Sequence, residues 1–208
     1  HNTAGNVRAV RDAAAALAPG LLVVAGIELT CAEELHMICL FHTVEAAEAA
    51  GEEIYAALPP IMNREEIFGA QLLMDEEDNE TGRLAKLLAN ATAISVDDAS
   101  AFAARYGGFC YPAHIDRDSM SVLAALGEIP ESLGFQTVEI ADPEKFFSGG
   151  KNASRCRPRS PSAGMHLRSA PHGADRPQIK YPLRNVIGAV AKNTAKMETR
   201  NLFESFCL

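Results

Sequence analysis

The sequence has no apolar run approaching the roughly 18 residues a membrane span needs, no signal-peptide pattern at its start and no internal repeat. These absences argue against a helical membrane span, a secretory leader and a repeat architecture. The chain opens on His1 without an initiator methionine, so its first residue is not expected to be the start of the gene product. Basic residues are in deficit, 19 against 27 acidic, for a formal charge of -8. That balance argues against a nonspecific nucleic-acid coat, although bound cations reverse a local field whatever the global sign. Cysteine pairs of the C-x-x-C kind are missing too. The five cysteines (Cys31, Cys39, Cys110, Cys156 and Cys207) are odd in number. Three lie in apolar runs, where cysteine behaves as a small hydrophobe. Reduced thiols and a cytoplasmic protein are the expectation. Also lacking are H-E-x-x-H, G-x-S-x-G, a Walker A loop and a dinucleotide-binding glycine pattern, so the common short-motif enzymes are not indicated.

What is present is an α/β pattern. With 208 residues, 48% of them hydrophobic, the chain can build one full core. Residues 5–17 carry apolar positions at helical spacing, and Pro19-Gly20 stops them. Residues 21–25 and 36–41 are short continuous apolar runs suited to strands buried on both faces. Thr43 caps an alanine- and glutamate-rich helix to about residue 58, which Pro59-Pro60 ends. Residues 67–74 fit helix or strand, 75–82 a charged turn, and 83–88 a short helix. Ser95 with Asp98 resembles a capping signal for a helix through Tyr106. Then come a strand at 109–113, a helix at 119–126 and a strand at 135–140. This alternation reads as βα units. Residues 144–180, rich in glycine, proline, serine and arginine, read as irregular or partly disordered. A final helix is expected near 184–196, within a C-terminal segment 181–208.

Three histidines and one glutamate stand at the ends of these elements. Glu28 follows an apolar run, where a carboxylate is costly unless paired or bound to a cation. His36 heads the next run, and His114 follows the strand at 109–113 directly. His1 stands just before the first helix. Strand tips carrying ligand-type side chains are what a catalytic metal centre at the mouth of a parallel barrel looks like in sequence. Imidazole with carboxylate suits zinc, manganese or iron. For each residue a plainer reading stands alongside: a solvent-facing strand-end glutamate, or a satisfied core histidine.

Four separated stretches also resemble, in order, motifs of the PHP (polymerase and histidinol phosphatase) family of metal-dependent phosphoesterases. They are His1-Asn2-Thr3 with Gly5-Asn6, GIELT at 26–30, the H-x-x-x-x-F stretch at 36–41, and YPAHIDRDS at 111–119. The resemblance spans residues 1 to about 143 of what would be a single domain, 1–208. It implies a distorted (β/α)7 barrel, here lacking the family's first strand, with two or three divalent ions (Mn, Zn or Fe). His1, Glu28, His36 and His114 would be ligands, Glu28 bridging two of the ions. His172 would stand for the family's last ligand histidine, although alanine occupies the aspartate position two residues before it. Asp116 is then a candidate for orienting a ligand or a water, Arg117 for clamping a phosphate and Glu139 for supporting the site from behind. The implied function is divalent-metal-dependent hydrolysis of a phosphate ester on a small phosphorylated molecule, nucleotide or short nucleic-acid end, with no membrane partner. The competing expectation is a truncated or degenerate, non-catalytic domain that binds metal or serves as an interaction module. His166 is a weaker ligand candidate, and His42, next to a helix cap, is read as structural or solvent-exposed.

Overall fold

The computed structural model describes residues 1–142, Phe146 and the backbone of His166–Ser169. In chain order the elements are α1 (Val7–Leu17), β1 (Ala25–Thr30), β2 (His36–Phe41), α2 (Val44–Ala57), α3 (Glu65–Phe68), β3 (Leu72–Met74), β4 (Glu80–Arg83), α4 (Val96–Arg105), β5 (Phe109–Pro112), α5 (Val122–Leu126), β6 (Thr137–Ile140) and β7 (His166–Ser169). The helix expected near 184–196 lies outside the described residues.

β1 and β2 pair with each other as an antiparallel hairpin, Thr30 opposite His36 and Glu28 opposite Ile38. Parallel strands need a crossover of about a dozen residues or more, and residues 31–35 cannot supply one. β5 then joins the other edge of β2, again antiparallel. β3 and β4 form a separate antiparallel pair, and β6 runs parallel to β7.

These sheets correct the expected barrel. Among the described residues the strands form three small open sheets, ordered β1-β2-β5, β3-β4 and β6-β7. No ring of parallel strands closes among them, and β1, β2 and β5 run antiparallel, so they do not form the expected distorted (β/α)7 barrel. The PHP family requires that barrel, and the resemblance therefore does not make the chain a member. The physical reason lies in the connections: strands joined by a tight loop return antiparallel, whatever motif they carry.

Helices α2 and α4 pack on one face of the three-stranded sheet. That face contributes Ile27, Leu29, Met37, Cys39, Phe41 and Cys110 to the main core. Alternation sends Glu28, Thr30, His36 and Ile38 to the opposite face. Ile38, Leu40 and Ala113 form a smaller apolar cluster there. Caps fix the helix starts as their sequences foretell: Thr43 accepts from Ala46 N–H, and Ser95 from Asp98 N–H. Each such cap contributes about 1 kcal/mol.

Residues 1–6 are wedged between β1 and α2. Gly51 in the middle of α2 makes the close approach possible, because a Cβ there would lie 2.9 Å from both the Cβ and the backbone nitrogen of Ala4. Asn6 extends the wedge to β3, donating to Leu72 O and accepting from Met74 N–H.

Candidate metal centre

Glu28 sits in the middle of β1 rather than at a strand tip, because the ladder starts at Ala25 and runs to Thr30. Its side chain is 4% exposed, on the sheet face away from the helices. Three imidazoles surround the carboxylate. His1 Nδ1 lies 2.9 Å from Oε2, His36 Nδ1 3.1 Å from Oε1, and His114 Nε2 3.4 Å from Oε1. His36 Nδ1 and His114 Nε2 are 3.2 Å apart. His1, Glu28 and His36 present their donor atoms within 4.8 Å of one another. The side chain of His1, at 37% exposure, forms the solvent-facing side of this otherwise buried cluster.

Each donor is held by the backbone around it. Asn2, completely buried, anchors His1. Its backbone N–H donates to the Glu28 carbonyl at 2.7 Å. Its side chain accepts from Thr30 N–H and donates to Thr30 Oγ1, Leu88 O and Asn90 O. Asn2 holds a φ of +53°, in the left-handed region that asparagine tolerates better than most residues. His36 opens β2, and its own N–H donates to Met120 O. His114 follows β5 with a φ of +28°, an uncommon conformation for a residue with a side chain. The Glu139 carboxylate accepts the His114 N–H at 3.0 Å and stabilises that bend.

Electrostatically the cluster is set for a cation. Burial, the largest single influence on Glu28, opposes ionisation, but the contacts with His1, His114 and His36 outweigh it. Its carboxyl is held well below the usual carboxylate range. The Glu28 contact raises the His1 pKa, against the opposing effect of burial. Two ring nitrogens in the cluster, His1 Nδ1 and His114 Nδ1, are buried without a hydrogen-bond partner. For His1 Nδ1 this holds despite the 2.9 Å approach to Glu28. Proximity and charge bring that pair together, but its angle is not that of a hydrogen bond, and the angular criterion decides.

The separations also suit a metal. Ligands at about 2.0–2.1 Å from a tetrahedral ion stand about 3.3–3.4 Å apart. The 2.9–3.4 Å contacts of the imidazoles with one or other Glu28 oxygen and of His36 with His114 fall close to that edge length, and the ligand atoms of His1, Glu28 and His36 all lie within 4.8 Å of one another. An orphaned ring nitrogen beside a dry carboxylate is the observation that makes the residues fit an ion.

Of the residues nominated from sequence, His1, Glu28 and His36 are brought together, with His114 against two of them. The cluster offers a ligand set for a single ion, correcting the expected two or three. No multi-metal centre of the phosphoesterase kind occurs among the described residues, so the enzyme assignment drawn from the resemblance falls with the barrel. Asp116 spends both carboxylate oxygens on Ala141 N–H and Asp142 N–H, each at 2.7 Å, and thereby clamps the loop after β5 to the end of β6. Arg117 is exposed on that loop. His42 is exposed just beyond β2, outside the cluster. His172 lies outside the described residues, as does the side chain of His166. Sequence reasoning gave Asn2 no role. Its neighbour His1 drew the attention, and nothing in the spacing shows that an asparagine at position 2 reaches residues 88 and 90.

No family model, curated protein or solved structure matches the chain. Fold and site together define a small mixed α/β domain whose His/Glu cluster can coordinate one metal ion. No helix among the described residues is long and apolar enough to cross a membrane.

Proposed function

We propose that this domain binds one divalent transition-metal ion through His1, Glu28 and His36, with His114 as the fourth donor. The observation that carries the reading is the buried, unbonded His1 Nδ1 facing a carboxylate that two further imidazoles approach. Three imidazoles around one carboxylate are a donor set that suits zinc, manganese or iron. Asn2 and Glu139 act on the site through the backbone of the residues that face it.

An ion held there would supply Lewis acidity, the chemistry on which phosphate-ester hydrolysis draws. A phosphomonoesterase and phosphodiesterase assay in zinc or manganese, with Glu28→Ala run beside the native chain, tests whether that chemistry reaches a phosphate ester.

Metal content tests the binding itself. Stripped protein is reloaded with zinc or manganese, passed through a desalting column and measured by elemental analysis. The native chain and His42→Ala are expected to retain about one ion. Glu28→Ala and His36→Ala are expected to retain less than about a tenth as much, with circular dichroism confirming the fold. Equal metal content in the native protein and both cluster variants overturns the proposal.

A further inference from the structure

The opposite face of the same sheet holds a second chemically capable pair. Cys39 of β2 and Cys110 of β5 are direct cross-strand partners. Their place in the ladder follows from the hydrogen bond of Ala113 N–H to His36 O. Counting from it by alternation, Ile38 and Tyr111 are a hydrogen-bonded pair, and Cys39 with Cys110 a non-hydrogen-bonded one. Cα atoms in such pairs lie about 4.5 Å apart with the side chains drawn together. Disulfides span Cα separations of about 4.4–6.8 Å. The separation typical of such a pair falls within the range a disulfide spans.

The two thiols are not equivalent. Cys39 is 0% exposed and Cys110 9%, so both lie in the core and Cys110 is the less enclosed of the two. The Ser100 hydroxyl lies 3.6 Å from the Cys110 sulfur. Cys39 holds the Cys110 thiol below its ordinary pKa, burial opposes this, and Ser100 adds to the lowering. Cys39 is itself pushed up, first by Cys110 and then by burial. The closeness of the two sulfurs thus lets one thiol of the pair ionise more readily while its partner keeps its proton.

We propose that Cys39 and Cys110 are a redox-active dithiol, which a peroxide oxidises to a reversible disulfide across β2 and β5. In the first step the Cys110 thiolate attacks a peroxide oxygen and the O–O bond breaks. Hydroxide leaves, takes up a proton as water, and Cys110 becomes a sulfenic acid. In the second step the Cys39 sulfur attacks the Cys110 sulfur, the S–O bond breaks and a second water departs with the thiol proton. Two thiols and one hydrogen peroxide give one disulfide and two waters. Cys31, also buried, has its thiol pKa raised chiefly by burial and is the poorer nucleophile.

Folded native protein treated with hydrogen peroxide, quenched in acid, alkylated and digested tests this by mass spectrometry. The expected result is a peptide pair joined through Cys39 and Cys110, with free thiols falling from the five of the sequence to three. A dithiol reductant should restore all five. In Cys39→Ser the bridge should vanish and Cys110 should be captured by a sulfenic-acid probe. Recovery of both cysteines as alkylated thiols overturns the proposal. So does a bridge from either to Cys31, Cys156 or Cys207, or irreversible oxidation of Cys110 beside an intact Cys39 thiol. The wild-type digest decides the matter even if the variant does not fold.

Discussion

Replacing Asn2 by alanine tests both the architecture and the site. Asn2 is fully buried, and its side chain accepts from Thr30 N–H at 2.7 Å while donating to Leu88 O at 2.8 Å, Asn90 O at 2.9 Å and Thr30 Oγ1 at 3.1 Å. An amide has only two hydrogens, so these contacts amount to about three full bonds. At about 1 kcal/mol net for each, the bonds account for about 3 kcal/mol. Alanine at a φ of +53° adds about 1 kcal/mol of backbone strain that asparagine largely avoids. The expected loss is about 3–5 kcal/mol, and with a urea slope of about 2 kcal/mol/M it lowers the unfolding midpoint by about 1.5–2.5 M. Peeling of residues 1–6 from the sheet would let water satisfy the stranded groups and reduce that shift. In that event zinc affinity should fall at least tenfold, because His1 leaves with the peeled segment. A midpoint within about 0.5 M of the native value, together with unchanged zinc affinity, would refute the assigned role of Asn2.

Two further expectations follow from the same wedge and cluster. Gly51→Ala gains about 1 kcal/mol of helix propensity but drives a methyl group to 2.9 Å from the backbone of Ala4. Net destabilisation of about 1–2 kcal/mol is expected from such overpacking; a raised melting temperature on calorimetry would contradict the close approach of α2. Zinc affinity should depend on pH through His1, whose ring is held above its ordinary value by Glu28. A proton and a metal compete for the same nitrogen, so affinity is full above the raised pKa and weakens as pH falls through it. That weakening begins at a higher pH than an unperturbed histidine near 6.5 would give. Titration calorimetry between pH 8 and pH 5.5 checks this, and a flat profile would remove His1 from the ligand set.

Much of the local structure was legible in the sequence. The strand at 36–41, the helices begun by Thr43 and Ser95, and the strand opening at Phe109 leave local marks: apolar runs, capping side chains and the glycine pair at 107–108. The hairpin was misread because buried strands of parallel and antiparallel sheets look alike as apolar runs. The short connection at 31–35 was the clue that distinguished them. The apolar run at 21–25 was read as a strand for the same reason, yet the ladder begins only at Ala25. The helix expected at 83–88 is not formed. Gln71 donates to the carbonyls of Leu84 and Lys86 and accepts from Leu88 N–H, so a side chain 13 residues or more away takes the groups a helix would have used. His1, Glu28, His36 and His114 were singled out as standing at element ends, but Glu28 lies within β1. What actually joins them is non-local: the cross-strand offset of Glu28 and His36, the Asn2 anchor and the Glu139 brace.

The placement of Glu28 within β1, rather than in a loop, ties the chemistry of the cluster to the correctness of the hairpin. A slip of one residue between β1 and β2 would turn Ile27 or Leu29 toward the imidazoles and drive the carboxylate into the helix-packed core. Metal capture by this domain would therefore report that the chain has folded in the right alignment, and an ion once bound would penalise every misaligned hairpin that lacks its carboxylate.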